Sequence, residues 1–132
     1  MGDVTTDARA APGIAFSGGA AWGAFAQVEI GRWAQRSDIT PRAMRVLFAA
    51  MGRIDSAGHA RWAPGELALV LGSVEQMTGV IVPAARSAVS DAIAVAKRLG
   101  MVADDSTARC LVLPDTAFQK ARGPVIRCPV HG

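Results

Sequence analysis

Residues 83–99 constrain the fold of this chain most strongly, because their apolar side chains recur at spacings of three and four. Pro83 suits the first turn of a helix, and Gly100 suits the position just after its end. The apolar stripe consists of Ala85, Ala88, Val89, Ala92, Ile93, Ala96 and Leu99. The pattern predicts a long amphipathic helix that buries one face in a core.

The opposite side of this predicted helix carries short polar and basic side chains. They are Arg86, Ser87, Ser90, Asp91, Lys97 and Arg98. A helix that lies in the major groove of DNA needs such groups on its exposed face. The same pattern also fits an ordinary solvated helix face, so the neighbouring elements have to decide between the two interpretations.

Two further helices are predicted before this one. Thr40 can cap the free N–H groups of a helix over residues 41–54, and Pro41 fits its first position. A shorter helix is predicted at residues 65–71, preceded by a short strand at residues 61–63. Residues 73–82 then form a connection with a small apolar cluster of its own.

The ends of the predicted domain are extended. Alternation of Ala26, Val28 and Ile30 with polar residues predicts a short N-terminal strand, with a helix as the alternative. Apolar runs at residues 101–102 and 110–113 flank a polar tip that includes Arg109, which predicts a hairpin. The order helix, strand, helix, longer helix, hairpin predicts an α+β fold of the winged helix-turn-helix type, in which the hairpin wing lies along the DNA backbone.

Length and composition allow one domain. The chain has 132 residues, of which 51% are hydrophobic and 19% charged, enough for one compact core. We expect a flexible tail at residues 1–13, the winged-helix domain at residues 14–120 and an extended C-terminal tail at residues 121–132. Residues 14–34 carry more apolar surface than the domain needs and are the candidate dimerisation segment. Trp22, Trp33 and Trp62 are expected in the core or a dimer interface rather than stacked on bases.

The charge pattern bears on the partner. The net charge is +3, its excess lies in residues 83–132, and 12 of the 14 basic residues are arginine. Arginine suits phosphates and base edges, although its abundance also reflects a GC-rich coding sequence. No apolar stretch is long enough for a membrane span and no export signal is recognisable, so we expect a cytoplasmic protein.

Cys110, Cys128 and His131 are the candidate metal ligands. Cys128 and His131 form a Cys-x2-His pair, and zinc binds thiolate and imidazole in tetrahedral geometry. A fourth ligand could come from His59, a carboxylate or a symmetry mate. Such a structural zinc would pin the C-terminal tail to the wing. The alternative is a buried Cys110 with a surface Cys128.

Catalysis is not expected. The chain has two histidines and no tyrosine, and the Gly18-Gly19 pair lacks the lysine and the spacing of a P-loop. A Cys128–His131 nucleophilic pair at the chain end would have nothing to exclude water. The sequence therefore predicts a binding protein rather than an enzyme.

The runs ITPRAMRVLFAAMGRIDSAGHARWAPGELA, SAVSDAIAVAKRLGMV and ARCLVLPDTAF resemble the winged-helix replication and regulatory proteins of bacterial plasmids and phages. They are similar to RepL-type replication proteins and to small regulators of actinobacterial mobile elements, over about residues 25–120. The resemblance implies a recognition helix at residues 87–98 and a wing at residues 104–109. The connection at residues 73–82 departs from it, because a standard turn there has only three or four residues.

The resemblance implies sequence-specific duplex DNA binding by a homodimer that regulates transcription or plasmid or phage replication. The predicted DNA-binding residues are Arg86, Ser87, Ser90, Asp91, Lys97, Arg98 and Arg109. The alternative is a protein-interaction adaptor on the same scaffold, which would bind a replication or transcription partner, because a fold does not fix a function.

Overall fold

In the computed structural model, residues 16–119 and 128–131 are described. They combine four α-helices with three two-stranded antiparallel sheets, so the predicted α+β class is confirmed. The predicted tail at residues 1–13 and residues 121–127 of the predicted C-terminal tail lie outside the described residues. No helix of the described part is long and apolar enough to cross a lipid bilayer.

The helices follow a short 3-10 turn at Ser17–Gly19. Their bounds are α1 (Gln27–Ala34), α2 (Pro41–Met51), α3 (Glu66–Val70) and α4 (Arg86–Arg98). The strands are β1 (Ala24–Phe25), β2 (His59–Arg61), β3 (Ser73–Val74), β4 (Ile81–Val82), β5 (Cys110–Val112) and β6 (Phe118–Gln119). Strand β1 pairs with β6, β2 with β5 and β3 with β4.

Helices α2 and α4 pack against each other at the centre of the core. Helix α2 begins as predicted, because the Thr40 hydroxyl accepts a hydrogen bond from the Ala43 N–H at 3.2 Å and Pro41 occupies the first turn. The buried residues of the two helices are Ala43, Val46, Leu47, Ala50, Val89, Ala92, Ile93 and Ala96. Helix α4 therefore buries most of its predicted apolar stripe, whereas the face predicted for α2 is only partly correct, because Phe48 is 60% exposed and Val46 and Ala50 are buried in its place.

Trp33 and Trp62 belong to the core, in agreement with the prediction. The Trp33 indole donates a hydrogen bond to the Leu99 carbonyl at 3.0 Å, and its ring stacks on Phe118 with centroids 5.8 Å apart. Trp62 lies under the Arg53 guanidinium, whose carbon is 4.0 Å from the ring centroid. Trp22 is only half-buried.

The N-terminal strand predicted from alternation is wrong for most of its length. Only Ala24 and Phe25 form a paired strand, and α1 begins at Gln27 after the extended Ala26. Ile30 and Trp33, three residues apart, face the core, and Glu29 forms an ion pair with Arg32 one turn further on. A spacing of three therefore outweighs the alternation, and the helical alternative is correct.

The hairpin predicted between residues 101–102 and 110–113 is also wrong in its pairing. Strand β5 pairs with β2, with His59 opposite Val112 and Arg61 opposite Cys110. The N–H groups of Met101 and Val102 instead donate to the Ala96 carbonyl, because the chain leaves α4 through Gly100 with a φ of 72°. These two residues are therefore used to end the helix and are not a strand.

The strand predicted at residues 61–63 lies at His59–Arg61, and three other segments also differ from the prediction. Helix α2 stops at Met51 rather than residue 54, because the next turn is formed by Asp55, whose carboxylate accepts N–H groups of Ala57 and His59. Helix α4 begins at Arg86, after an extended lead-in in which the Ala84 N–H donates to the Ala68 carbonyl. The predicted connection at residues 73–82 is a hairpin formed by β3 and β4.

Candidate metal centre

Four side chains with metal-binding atoms meet beside the β2–β5 sheet. They are His59, Cys110, Cys128 and His131, and their ligand atoms all lie within 4.8 Å of one another. Both cysteines are buried and both histidines are half-buried. The cluster joins one residue from β2, one from β5 and two from the C-terminal segment.

The sheet register brings His59 and Cys110 together. Cys110 lies opposite Arg61, so it is a diagonal neighbour of His59 on the same face of the two strands. The Cys110 Sγ is 3.4 Å from His59 Nδ1. One thiol and one imidazole are therefore fixed by strand pairing alone.

The other two side chains come from a tight turn at residues 128–131. The Cys128 Sγ accepts a hydrogen bond from the His131 N–H at 3.4 Å and lies 3.6 Å from His131 Nδ1. The same sulfur is 3.5 Å from the Cys110 Sγ. The extended conformation predicted for these residues is wrong, because the Cys-x2-His spacing closes into a turn around the sulfur.

A contact outside the cluster orients His131. Its Nε2 lies 2.6 Å from the Asp105 backbone carbonyl oxygen. A carbonyl only accepts hydrogen bonds, so Nε2 carries the proton and donates, which leaves the lone pair of Nδ1 free to bind a metal. Such contacts to the second ring nitrogen are common around metal-bound histidines.

The two thiols differ in their ionisation. Burial and the neighbouring Cys128 sulfur raise the pKa of Cys110 to about 12. Burial also opposes ionisation of Cys128, but the His131 N–H, the His59 ring and the Val130 N–H outweigh it and lower its pKa to about 5. The metal-free cluster therefore holds one thiolate and one thiol, and a bound cation has to displace the second proton.

The cluster can hold a metal ion with four protein ligands. Two sulfurs and two imidazole nitrogens complete a tetrahedral set and leave no position open for substrate or water. The structure thus brings the predicted ligands Cys110, Cys128 and His131 together with His59, which was one of three options for the fourth ligand. Cys128 is buried against Cys110, contrary to the alternative of a surface thiol.

The residues predicted to bind DNA lie apart from this cluster. Most of them lie on α4, where Arg86, Ser87, Ser90, Asp91 and Arg98 are exposed and Lys97 is half-buried. Arg109 is in the turn before β5, and its Nε donates to the Trp62 carbonyl at 2.8 Å.

Residues around α4 affect the charge and the surroundings of the predicted DNA-binding side chains. Ser87 and Asp91 line a groove between α4 and α2, together with Arg42 and Arg45 of α2. The Arg36 guanidinium lowers the pKa of Asp38, and the charge of Arg98 adds a smaller effect in the same direction. The Asp38 carboxylate therefore offsets part of the positive charge of Arg98. Arg45 is engaged with the Val70, Leu71 and Gly72 carbonyls, whereas Arg42 is an exposed cation beside the groove.

Arg42 and Arg45 line this groove but are not among the residues predicted from the sequence, which lie on α4 and in the turn before β5. Their spacing of three on the polar side of α2 was the available signal.

Comparison of the chain with protein-family models, curated proteins and solved structures finds no match. The function of this chain is therefore inferred from its own residues.

Proposed function

We propose that this protein binds duplex DNA through a winged-helix module whose sheet is stabilised by a structural zinc ion. The observation that carries the proposal is α4, which buries its apolar face against α2 and exposes Arg86, Ser87, Ser90 and Arg98 on the other side. A helix built in this way can enter the major groove with its polar face toward the bases.

The strand pairing supports a winged-helix arrangement. Strand β2 lies between α2 and α3 along the chain, and β5 follows α4. Their pairing forms a small sheet whose Ala60 and Leu111 belong to the same core as the helices, and it holds the turn that contains Arg109 next to β2. In this arrangement residues 104–109 would lie along the DNA backbone while α4 lies in the groove.

The charge distribution fits a phosphate partner. Arg86 and Arg98 are at opposite ends of α4, Arg42 lies on the adjacent edge of α2, and Arg109 lies in the turn before β5. Most hydrogen bonds between proteins and DNA go to phosphates and fix the orientation of the reading helix. Ser87, Ser90 and Asp91 then supply the short polar groups for base edges.

The donor set of the metal centre fits zinc. A tetrahedral zinc site with bonds of about 2.0–2.3 Å has ligand atoms about 3.3–3.8 Å apart. The Cys110–Cys128, Cys110–His59 and Cys128–His131 contacts of 3.5, 3.4 and 3.6 Å agree with this range. Zinc would supply no reaction here, and its four protein ligands would tie the C-terminal turn to β2 and β5.

The proposed biological role is regulation of transcription or of plasmid or phage replication by a homodimer in the cytoplasm. Two copies of a recognition helix read two half-sites one helical turn apart, so a dimer gains specificity that one helix lacks.

Fluorescence-anisotropy titration against pooled GC-rich duplexes at two salt concentrations tests the proposal, with zinc content measured on the same sample. We expect micromolar or tighter binding that weakens steeply with salt. A zinc-loaded protein that binds no duplex at low salt would overturn the DNA assignment.

A protein-interaction adaptor is the second candidate, favoured by an apolar cleft of about 420 Å³ near the N-terminal segment. Trp22, Phe25, Met51, Ile54 and Phe118 are among the residues that line it. A partner bound there would be a replication or transcription protein with an apolar anchor. Salt-insensitive binding of such a protein, without duplex binding, is the outcome that favours this candidate.

A further inference from the structure

The hairpin formed by β3 and β4 exposes an unusual concentration of apolar side chains. Met77 at its tip is 92% exposed, and Val74, Val80, Ile81 and Val82 are each about half exposed or more. Two-residue strands that stand alone are marginally stable in water, and apolar side chains on both faces add to this cost. Such a cluster of exposed apolar side chains marks the hairpin as a candidate interaction surface.

The chemistry of the hairpin excludes a phosphate partner. Its single charged residue is Glu75, and residues 73–82 contain no lysine or arginine. The Glu75 carboxylate accepts the N–H groups of Met77 and Thr78 at 2.6 and 3.0 Å, so it is used within its own turn. Apart from Glu75, the large exposed side chains of the hairpin are mainly apolar, which fits another protein surface of the same character.

The hairpin is held in a fixed position. Arg45 of α2 binds the Val70 and Gly72 carbonyls at its entry, at 2.8 and 2.9 Å. At its exit the Ala84 N–H donates to the Ala68 carbonyl at 2.9 Å. A surface fixed at both ends loses little conformational freedom when it associates.

The strand edges can pair with a second copy. The Glu75 N–H donates to the Val80 carbonyl at 2.8 Å, which marks this pair as hydrogen-bonded. Because such pairs alternate along an antiparallel ladder, the backbone groups of the next pair point outward on opposite sides, those of Val74 from the edge of β3 and those of Ile81 from the edge of β4, which is the edge proposed here for pairing. The same edge on a second chain runs antiparallel when the two are related by a two-fold axis, so it is complementary to itself.

The available area matches that of a dimer. Leu69 and Val70 of α3 are 48% and 42% exposed and add to the five apolar side chains of the hairpin. Together the seven offer on the order of 700 Å² over both faces of the hairpin, so a contact that covers about two thirds of it supplies the apolar share of the roughly 800 Å² that each partner buries in a standard interface.

We propose that the β3–β4 hairpin, with Leu69 and Val70, is the surface through which two copies of this chain associate about a two-fold axis. The N-terminal segment at residues 14–34, which the sequence suggested, is then not the interface. The hairpin lies between α3 and α4, where a standard helix-turn-helix has a turn of only three or four residues. The proposal gives this longer segment a role in assembly.

Sedimentation velocity of the full zinc-loaded chain over a range of concentrations tests this proposal with two variants. Met77→Asp changes the exposed tip, and Ile81→Lys adds a charge to the outer edge. Each is expected to weaken dimerisation about tenfold or more, the size of effect seen at interface hot spots. Val28→Lys is the matched control, because Val28 is exposed on α1 within residues 14–34.

The outcomes separate this proposal from the others. A monomeric wild-type chain at every concentration, or a dimer that Val28→Lys dissociates while both hairpin variants remain dimeric, overturns it. Circular dichroism and zinc content of the variants report their folding, and Met77→Asp lies in the turn, outside both strands. A dimer that binds no duplex would contradict the proposed function while leaving the hairpin interface intact.

Discussion

The Sγ atoms of Cys110 and Cys128 lie 3.5 Å apart, although 18 positions separate the two residues in the chain. Cys110 is fixed by the β2–β5 pairing and Cys128 by the turn that ends at His131. Two independent pieces of local structure thus meet at one point, together with both histidines of the chain. A bound ion would be coordinated by all four side chains, so that metal binding and folding would depend on each other.

The first prediction concerns this dependence. The wild-type chain should bind one zinc ion, and removing it with a chelator should lower the free energy of unfolding by roughly 2.7 kcal/mol or more relative to zinc at 100 times its dissociation constant. Cys110→Ser and His131→Ala should lose stoichiometric metal and show no response to the chelator. Elemental analysis and thermal unfolding of the same samples measure both effects.

Asp104→Asn is the matched control for the ligand variants, because Asp104 is an exposed carboxylate next to Asp105 and is not in the cluster. It should keep the metal and the chelator response of the wild type. A wild-type chain that takes up no zinc in excess would contradict the centre itself. Equal metal loss in Asp104→Asn would contradict the assignment of its four ligands.

The metal centre shows which of its ligands could be predicted from the sequence. The Cys-x2-His spacing identifies Cys128 and His131 from local pattern, since a turn of four residues brings them together. His59 is 51 positions from Cys110, and its contact depends on the pairing of β2 with β5. The sequence predicted another partner for β5, so it had no physical reason to prefer His59 over a carboxylate.

The helices show the same division between local and distant interactions. The start of α2 follows from the Thr40 cap and Pro41, which act within four residues, and this prediction is confirmed. The segment near Val28 was interpreted as a strand, because alternation and helical spacing both fit so short a run. The burial of Trp33 against Leu99 decides for the helix, and that contact spans 66 positions.

The second prediction concerns the exposed face of α4. Arg86→Glu and Arg98→Glu should each weaken duplex binding and lower the slope of log affinity against log salt by about one for each phosphate that the variant no longer neutralises. Arg32→Glu on α1 is the control and should leave both quantities unchanged, since Arg32 is exposed and already paired with Glu29 of its own helix. Unchanged affinity in both α4 variants contradicts the recognition-helix assignment.

The third prediction compares the two buried tryptophans. Trp33→Phe removes a buried hydrogen bond to the Leu99 carbonyl, whereas the Trp62 Nε1 is buried with no hydrogen-bond partner among the described residues. Both changes remove the same ring volume. Trp33→Phe should therefore reduce the free energy of unfolding by about 1 kcal/mol more than Trp62→Phe.

Urea unfolding of the two zinc-loaded variants at one protein concentration measures this difference. The Arg53 contact over the Trp62 ring is retained in weaker form by phenylalanine, so it reduces the difference without reversing it. A larger loss in Trp62→Phe than in Trp33→Phe would contradict the prediction.

The fourth prediction concerns Gly72, at the base of the β3–β4 hairpin. A Cβ atom there would lie 2.2 Å from the Val82 carbonyl oxygen and 3.1 Å from the Pro83 Cα, so β4 would have to move away from β3. Gly72→Ala should therefore lower the free energy of unfolding by about 1–3 kcal/mol, the cost of overpacking a tight site.

Gly31→Ala is the matched control, because Gly31 lies inside α1 with nothing within 4 Å of its would-be Cβ. It should raise the free energy of unfolding by about 0.5–1 kcal/mol, since alanine favours a helix interior. Urea unfolding at one protein concentration gives both signs, and a Gly72→Ala variant as stable as the wild type would mean that the hairpin base is more open than 2.2 Å allows.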